Sequence, residues 1–478
     1  MTAPRSIETD VPQRMDRLPW SRWHWWVVAA LGVTWILDGL EVTIVGAMGG
    51  VLTRPGTLAL SESEVGLTAS AYLAGTVAGA LVFSYLTDRQ GRKRWFLVTL
   101  SLYLAATIGT AFSWDLASFM AFRFLTGAGI GGEYSAINSA IDELIPARAR
   151  GHTDLAINGS WWLGTIAGAL LSLPLLNPLV VPEALGWRLC FALGSVLGLG
   201  ILLVRRFVPE SPRWLVLQGR TEEAERIVTA IEDEVRRSCG IEELPEPQGT
   251  LRLRPHPGSH FGTVARELLR VYPRRSVLGI TLMVGQSFLY NAIFFTYALV
   301  LSRFYGVPSG RIGLYILPFA LVNFCGPLLL GRLFDTLGRR VMITFTYATS
   351  ACLLALTGYL FWSGRLDATT QTLAWSAVFF FASAGASSAY LTVSEVFPLE
   401  IRAMAIAFFF VLAQAAGTLA PWIFGWLIQT SASSVFVGYL LGAGLMGLGA
   451  VVAFHFAVPA ERRSLEEIAL PLAARRPE

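Results

Sequence analysis

The chain has 478 residues, 54% of them hydrophobic and only 15% charged, with a mean hydropathy of +0.55. That is more apolar surface than one soluble core can bury, which excludes an ordinary soluble globular protein and places the chain in a membrane. The net charge of +4 needs no nucleic acid, because the basic residues sit next to apolar runs, where they set orientation.

A helix needs about 20 apolar residues to cross the hydrocarbon core. Twelve such runs are predicted, at 25–51, 67–86, 96–112, 119–140, 155–176, 187–206, 277–301, 312–331, 341–361, 372–393, 403–428 and 434–458. The tail up to His24 is polar and arginine-bearing, with no short apolar core or small-residue cleavage site, and is not read as a cleaved signal peptide. Near-membrane basic residues on the N-terminal side outnumber those on the opposite side sixteen to five, which predicts both termini in the cytoplasm.

The first span carries Asp38 and Glu41, three apart and therefore on one helical face. After the second span comes SYLTDRQGRKR, with Asp88, Gly91 and Arg92. Such a loop uses glycine to turn at positive φ, aspartate to cap a neighbouring helix N-terminus and arginines to hold it on the cytoplasmic side. The fourth span holds Arg123 and Glu133. A charge at bilayer depth costs at least about 2.5 kcal/mol, so these residues are expected to face a bundle interior or a wet path and to mark transport or proton relay. The stretch closes with Glu143-x-x-Pro146-x-x-x-Arg150.

The fifth span offers Asn158, Trp161 and Thr165. Three of the four cysteines lie in spans and Cys239 has no metal-ligand partner nearby, so neither disulfide nor zinc site is indicated. The segment 207–276 is the one long polar piece. It holds an amphipathic helix opened by Thr221, with Ala224, Ile227, Val228, Ile231 and Val235 on one face, then a proline-rich connector, Pro245 to Gly258, read as flexible. A short surface helix is predicted over Phe261 to Arg270.

The seventh span reads GQSFLYN, with Gln286, Tyr290 and Asn291. GRLFDTLGRR follows the eighth, placing Asp335, Gly338 and Arg339 247 positions after their counterparts, and Glu395-x-x-Pro398-x-x-x-Arg402 repeats the first such motif at a distance of 252. Tyr390 and Gln414 add polar groups inside spans. No phosphate-binding glycine loop ending in Lys-Ser or Lys-Thr is present, which argues against nucleotide-driven pumping.

With both loops and both E-x-x-P-x-x-x-R copies, PESPRWL after the sixth span and PAERRSLEEI after the twelfth, the chain resembles the major facilitator superfamily, in particular its sugar porters and related proton-coupled metabolite symporters. The resemblance covers essentially the whole chain. It implies an all-α membrane protein of twelve transmembrane helices in two parallel six-helix halves, residues 1–206 and 277–478, joined by a helical cytoplasmic linker. It further implies that Asp88, Gly91, Arg92, Glu143, Arg150, Asp335, Gly338, Arg339, Glu395 and Arg402 form a cytoplasmic gate. Asp38, Glu41, Arg123 and Glu133 would couple protons, Glu41 pairing with Arg123.

Substrate contacts are expected among Asn158, Trp161, Thr165, Gln286, Tyr290, Asn291, Tyr390 and Gln414. Departures from the sugar branch count against a hexose: one glutamine in the seventh span where sugar porters have two, and Tyr390 in place of tryptophan. The expected function is a monomeric, proton-coupled importer of a small polar metabolite, an organic or aromatic acid, in the cytoplasmic membrane. It is not an enzyme and uses no cofactor or metal. The alternatives are a sugar-type facilitator, a proton-coupled exporter or a transporter-like nutrient sensor; sensors of that shape usually gain a long cytoplasmic tail, and fewer than twenty residues follow Pro459 here.

Overall fold

Apolar residues on every face of a long helix leave it only two neighbours, other helices or lipid, and the chain uses both. The computed structural model describes residues 7–205, 209–247, 249–253, 261–307 and 312–472. The spanning helices of the first half are α1 (Arg22–Leu52), α2 (Glu62–Gln90), α3 (Arg92–Ala111), α4 (Leu116–Leu144), α5 in two pieces (Arg150–Gly159 and Trp161–Leu175) and α6 (Glu183–Arg205). Those of the second are α7 (Pro273–Tyr305), α8 (Ile312–Thr336), α9 (Arg339–Trp362), α10 (Ala368–Glu395), α11 (Arg402–Thr430) and α12 (Ala432–Phe456).

Nine helices among the described residues are long and apolar enough to cross a membrane on length and composition alone. The other three spans are α4, α5 and α6. α4 is loaded with buried charge, and α5 is interrupted at Ser160, whose hydroxyl donates to the Ile157 and Gly32 carbonyls. Such a hydroxyl competes with the helix's own ladder. Side chains such as Leu173, Leu314 and Trp422 stay exposed on the bundle's outer face, where lipid would cover them.

Lipid is as apolar as leucine, so helices in it are held by close packing rather than by hydrophobic burial. α2 and α4 meet glycine to backbone in both directions. A Cβ at Gly75 or Gly79 would strike the carbonyl of Phe124 or Ala128, and one at Gly127 or Gly131 that of Tyr72 or Thr76. α1 and α5 meet the same way through Gly39 and Gly164. The halves touch where α2 faces α11 and α5 faces α8.

On the side of the bundle that carries the N-terminus, Val11–Asp16 forms a short helix against the linker helix Thr221–Cys239. Arg14 and Arg17 both bond Glu232, Arg14 at 2.7 Å. The expectation of a flexible connector is corrected in part: Leu251–Leu253 pairs antiparallel with Ile7–Thr9, because the tail offers a strand edge there. The rest of that connector, 254–258, and the domain boundary at 206 and 207 lie outside the described residues. The surface helix predicted at 261–270 is present as Phe261–Arg266 and Glu267–Val271.

Burial pushes the Glu232 carboxyl upward, but hydrogen bonds and charge from Arg14 and Arg17 outweigh it, so Glu232 lies below its ordinary value. A depressed acid stabilises docking at pH above its unfolded value and loses that contribution as pH falls through the folded one. Hydrogen exchange over residues 11–18 should therefore rise on acidification, and Glu232→Gln should show the fast exchange already at neutral pH; equal exchange in variant and native protein would contradict this. Gly79→Ala should lower Tm by the equivalent of about 1–3 kcal/mol of overpacking. Gly444→Ala, which meets nothing within 4 Å, should leave it unchanged.

Candidate functional site

Two acids on one face of α1 find different partners in the middle of the bundle. Glu41 forms a buried ion pair with Arg123 of α4, and the Arg123 guanidinium also lies 4.4 Å from the centre of the Tyr72 ring. Asp38 instead accepts from three neutral donors: Tyr72 Oη at 2.9 Å, Tyr134 Oη at 2.7 Å and Trp161 Nε1 at 2.7 Å. A small cavity lined by Thr34, Trp35, Asp38, Ile130, Glu133 and Tyr134 adjoins this cluster. Rings from both halves close over it, Tyr134 lying 4.6 Å from Trp35 and from Phe410 and 6.3 Å from Tyr390, centroid to centroid.

The other polar candidates are spread more widely. Tyr290 donates to Asn323 at 3.0 Å and packs on Trp162. Asn291 donates to the Ser287 carbonyl and sits against Gly417 of α11, at a helix-to-helix seam. Asn158 donates to the Asp154 carbonyl at 2.9 Å, and Gln286 and Thr165 are buried. Gln414 is partly buried on α11. Of the substrate candidates, Trp161 and Tyr390 therefore adjoin the acid cluster directly.

The repeated loops form an interlock at the N-terminal side. Gly91 and Gly338 turn at φ of 103° and 102°, a conformation that favours glycine. Each loop aspartate caps a neighbouring helix, and that helix belongs to the opposite half. Asp88 accepts from Met404 N at the start of α11. Asp335 accepts from Gly151 N at 3.0 Å and His152 N at 2.8 Å at the start of α5. The helix that follows each loop is capped by a different acid, Glu210 on Arg92 N (2.9 Å) and Glu461 on Arg339 N (3.2 Å). These acids come from the PESPR and PAERR segments. Burial raises the Glu210 carboxyl above its ordinary value.

The arginines complete the interlock. Arg92 bonds Glu143 at 3.0 Å within its half, and Arg402 approaches Glu143 from the other half at 3.6 Å. Arg339 bonds Glu395 at 2.9 Å, and Arg150 approaches Glu395 across the halves at 3.7 Å. Asp16 of the tail helix joins in through Arg150 and Arg213.

Several site residues escaped the sequence reading. Nothing in the sequence sets Tyr72, Thr34 and Trp35 apart from ordinary packing, and only their helical spacing from Asp38, Arg123 and Glu133 could flag them. Asp142 and Asp154 fell outside the predicted spans, yet both are fully buried, because α4 runs on to Leu144 and α5 begins at Arg150.

Twelve spanning helices in two interlocked halves, with acidic and basic side chains buried at mid-bundle, define a multi-pass membrane transporter. The chain belongs to the sugar (and other) transporter family, whose model matches residues 28–470, and its architecture is the major facilitator fold. It is 28% identical over 414 residues to the niacin transporter NiaP of Acinetobacter baylyi, covering 86% of this chain and 89% of that protein. To the glucose facilitated diffusion protein of Zymomonas mobilis it is 25% identical, covering 92% and 95%. Among solved structures, the proton:xylose symporter XylE bound to 6-bromo-6-deoxy-D-glucose matches with a TM-score of 0.73 at 19% identity, over 93% of this chain and 98% of that one.

A carboxylate on helix N-terminal N–H groups is worth about 0.3–1 kcal/mol when exposed and up to about 2 kcal/mol when partly buried. Asp335→Asn should therefore favour parting of the interlock, by about 5–30-fold if its loss is worth one to two kcal/mol. The readout is alkylation of a cysteine placed at buried Ser394, which should speed up in the variant; an unchanged rate would contradict the capping role.

Proposed function

We propose that this chain is a proton-coupled symporter that imports a small polar metabolite, an organic or aromatic acid, by alternating access. The observation that carries the reading is the Glu41–Arg123 ion pair, sealed between α1 and α4 beside a cavity that rings of both halves close. A buried pair is costly to break by removing one partner, about 3–5 kcal/mol, because the survivor is left charged and dry. Protonating Glu41 would release Arg123, whose uncompensated charge would then favour an acidic solute in the adjoining cavity, so that proton and solute move together. Asp38 and Glu133 stand next to this exchange and complete the proposed proton-coupling set.

The interlock is the proposed gate. With Asp88 and Asp335 seated on α11 and α5, the side carrying the termini and linker is closed. Residues 1–206 and 277–478 would rock as two bodies once water reaches these charges. We place that side in the cytoplasm and the chain, as a monomer, in the cytoplasmic membrane, supported by the excess of near-membrane arginines there. The names of two relatives, a niacin transporter and a proton:xylose symporter, support a small metabolite and proton coupling respectively.

Uncoupled facilitation is the competing reading, favoured by the likeness to the glucose facilitated diffusion protein. Glu41→Gln in proteoliposomes separates the two. Uphill uptake driven by an acidic exterior should vanish while counterflow exchange persists, whereas unchanged accumulation in the variant would remove Glu41 from the coupling mechanism.

A further inference from the structure

A carboxylate buried at mid-bundle ordinarily has a cation on it or is expensive to keep. Asp38 is 3% exposed, and among the described residues its hydrogen-bond partners are only the neutral Tyr72, Tyr134 and Trp161. The nearby cation, Arg123, is engaged by Glu41 and covered by the Tyr72 ring. A second carboxylate, Glu133, lines the same cavity as Asp38. Asp38 thus faces the cavity with only neutral hydrogen-bond partners, which a purely anionic substrate would meet unfavourably.

The walls answer to positive charge in another way as well. Trp35, Tyr134 and Tyr390 surround this point with ring faces and edges, and a positively charged nitrogen is attracted to an aromatic face within about 6 Å. Two further groups point to a ligand independently of the acids. Thr34 and Trp35 line the cavity, both are more than nine-tenths buried, and neither Thr34 Oγ1 nor Trp35 Nε1 has a hydrogen-bond partner among the described residues. Buried donors are normally satisfied, so these two call for an acceptor from outside the chain.

We infer that this site, closed down to a small cavity in this form and widened as the halves part, takes a small zwitterionic ring compound, an organic acid that also bears a positively charged nitrogen, with the nitrogen held at Asp38 among Trp35, Tyr134 and Tyr390 and the acidic group received by Thr34 and Trp35. This deepens the transport reading and rests on it, since it names the charge pattern of the solute that the proposed symporter carries. Asp38, within the proposed proton-coupling set, then also serves as counter-ion to substrate, while Glu41 and Arg123 remain the ion pair of that set. The division follows the geometry: one acid already has a cation and the other does not.

Three ring probes of one size test it: benzoate, N-methylpyridinium and N-methylpyridinium-3-carboxylate, each measured by the thermal shift of the full-length purified protein, where binding stabilises in proportion to affinity. The zwitterion should bind most tightly, N-methylpyridinium next, and benzoate at least about tenfold more weakly than the zwitterion. Asp38→Asn should remove the advantage of both nitrogen-charged probes and strengthen benzoate, which no longer meets a carboxylate. Trp35→Phe, which keeps the ring and deletes the N–H, should weaken the zwitterion and spare N-methylpyridinium, and it keeps the test available if Asp38→Asn fails to fold. Benzoate binding as well as the zwitterion, an unchanged order in either folded variant, or no shift with any probe would overturn the assignment. The order is a binding measurement, so its failure is distinguishable from a failure of proton-driven uptake in Glu41→Gln.

Discussion

Two aspartates seated on the ends of helices in the opposite half hold this molecule in the form seen here. Asp88 reaches across to α11 and Asp335 across to α5, so each half supplies the anion that the other half's helix terminus requires. Apolar contact adds little to this joint, since two greasy helix faces gain little over lipid by touching. Charge can, and it can also be undone by water. A joint built from buried ion pairs and helix caps is stable while dry and weak once wet, which in the proposed cycle would give the bundle two states rather than a continuum.

The same logic recurs at mid-bundle. Glu41 and Arg123 neutralise each other where neither could remain alone, and the interlock side repeats the pattern with Arg92 on Glu143 and Arg339 on Glu395. Every acid in these networks that loses its partner leaves a charged group in a poorly solvated place, so protonation or substrate binding at one point changes what the neighbours can tolerate. Proton coupling and gating are, in the proposed cycle, one rule applied at two depths. Glu210 and Glu461 make the interlock depend on the linker and the C-terminal segment as well, because they cap the helices that leave the two turning glycines.

Much of this was legible beforehand. Long apolar runs announce spans whatever their tertiary partners, and an arginine or acid inside one announces an inward face; that Glu41 pairs with Arg123 was implied by the resemblance to proton-coupled sugar porters. The repeated loops showed the duplication because glycine at positive φ and the flanking charges are positional requirements. Which helix the loop aspartates cap was not legible: sequence order suggests the next helix, while the partner lies in the other half. Nor was the burial of Asp142 and Asp154, since hydrophobicity ends before the helices do. Tyr72 and Trp35 stayed hidden because an aromatic residue in a span reads as packing until a carboxylate is found beside it. The pairing of Leu251–Leu253 with the N-terminal tail depends on two strands far apart in the chain, which local propensity does not reveal.

The central claim is that the halves part and rejoin at the interlock. Its most direct test is the distance between spin labels carried by Arg94→Cys and Leu337→Cys, exposed positions beside the two turning glycines, in a background without the native cysteines and in lipid. Two distance populations are predicted, a short one matching this structure and a longer one whose share changes with pH and with transported solute. A single short population that ignores both would contradict the account.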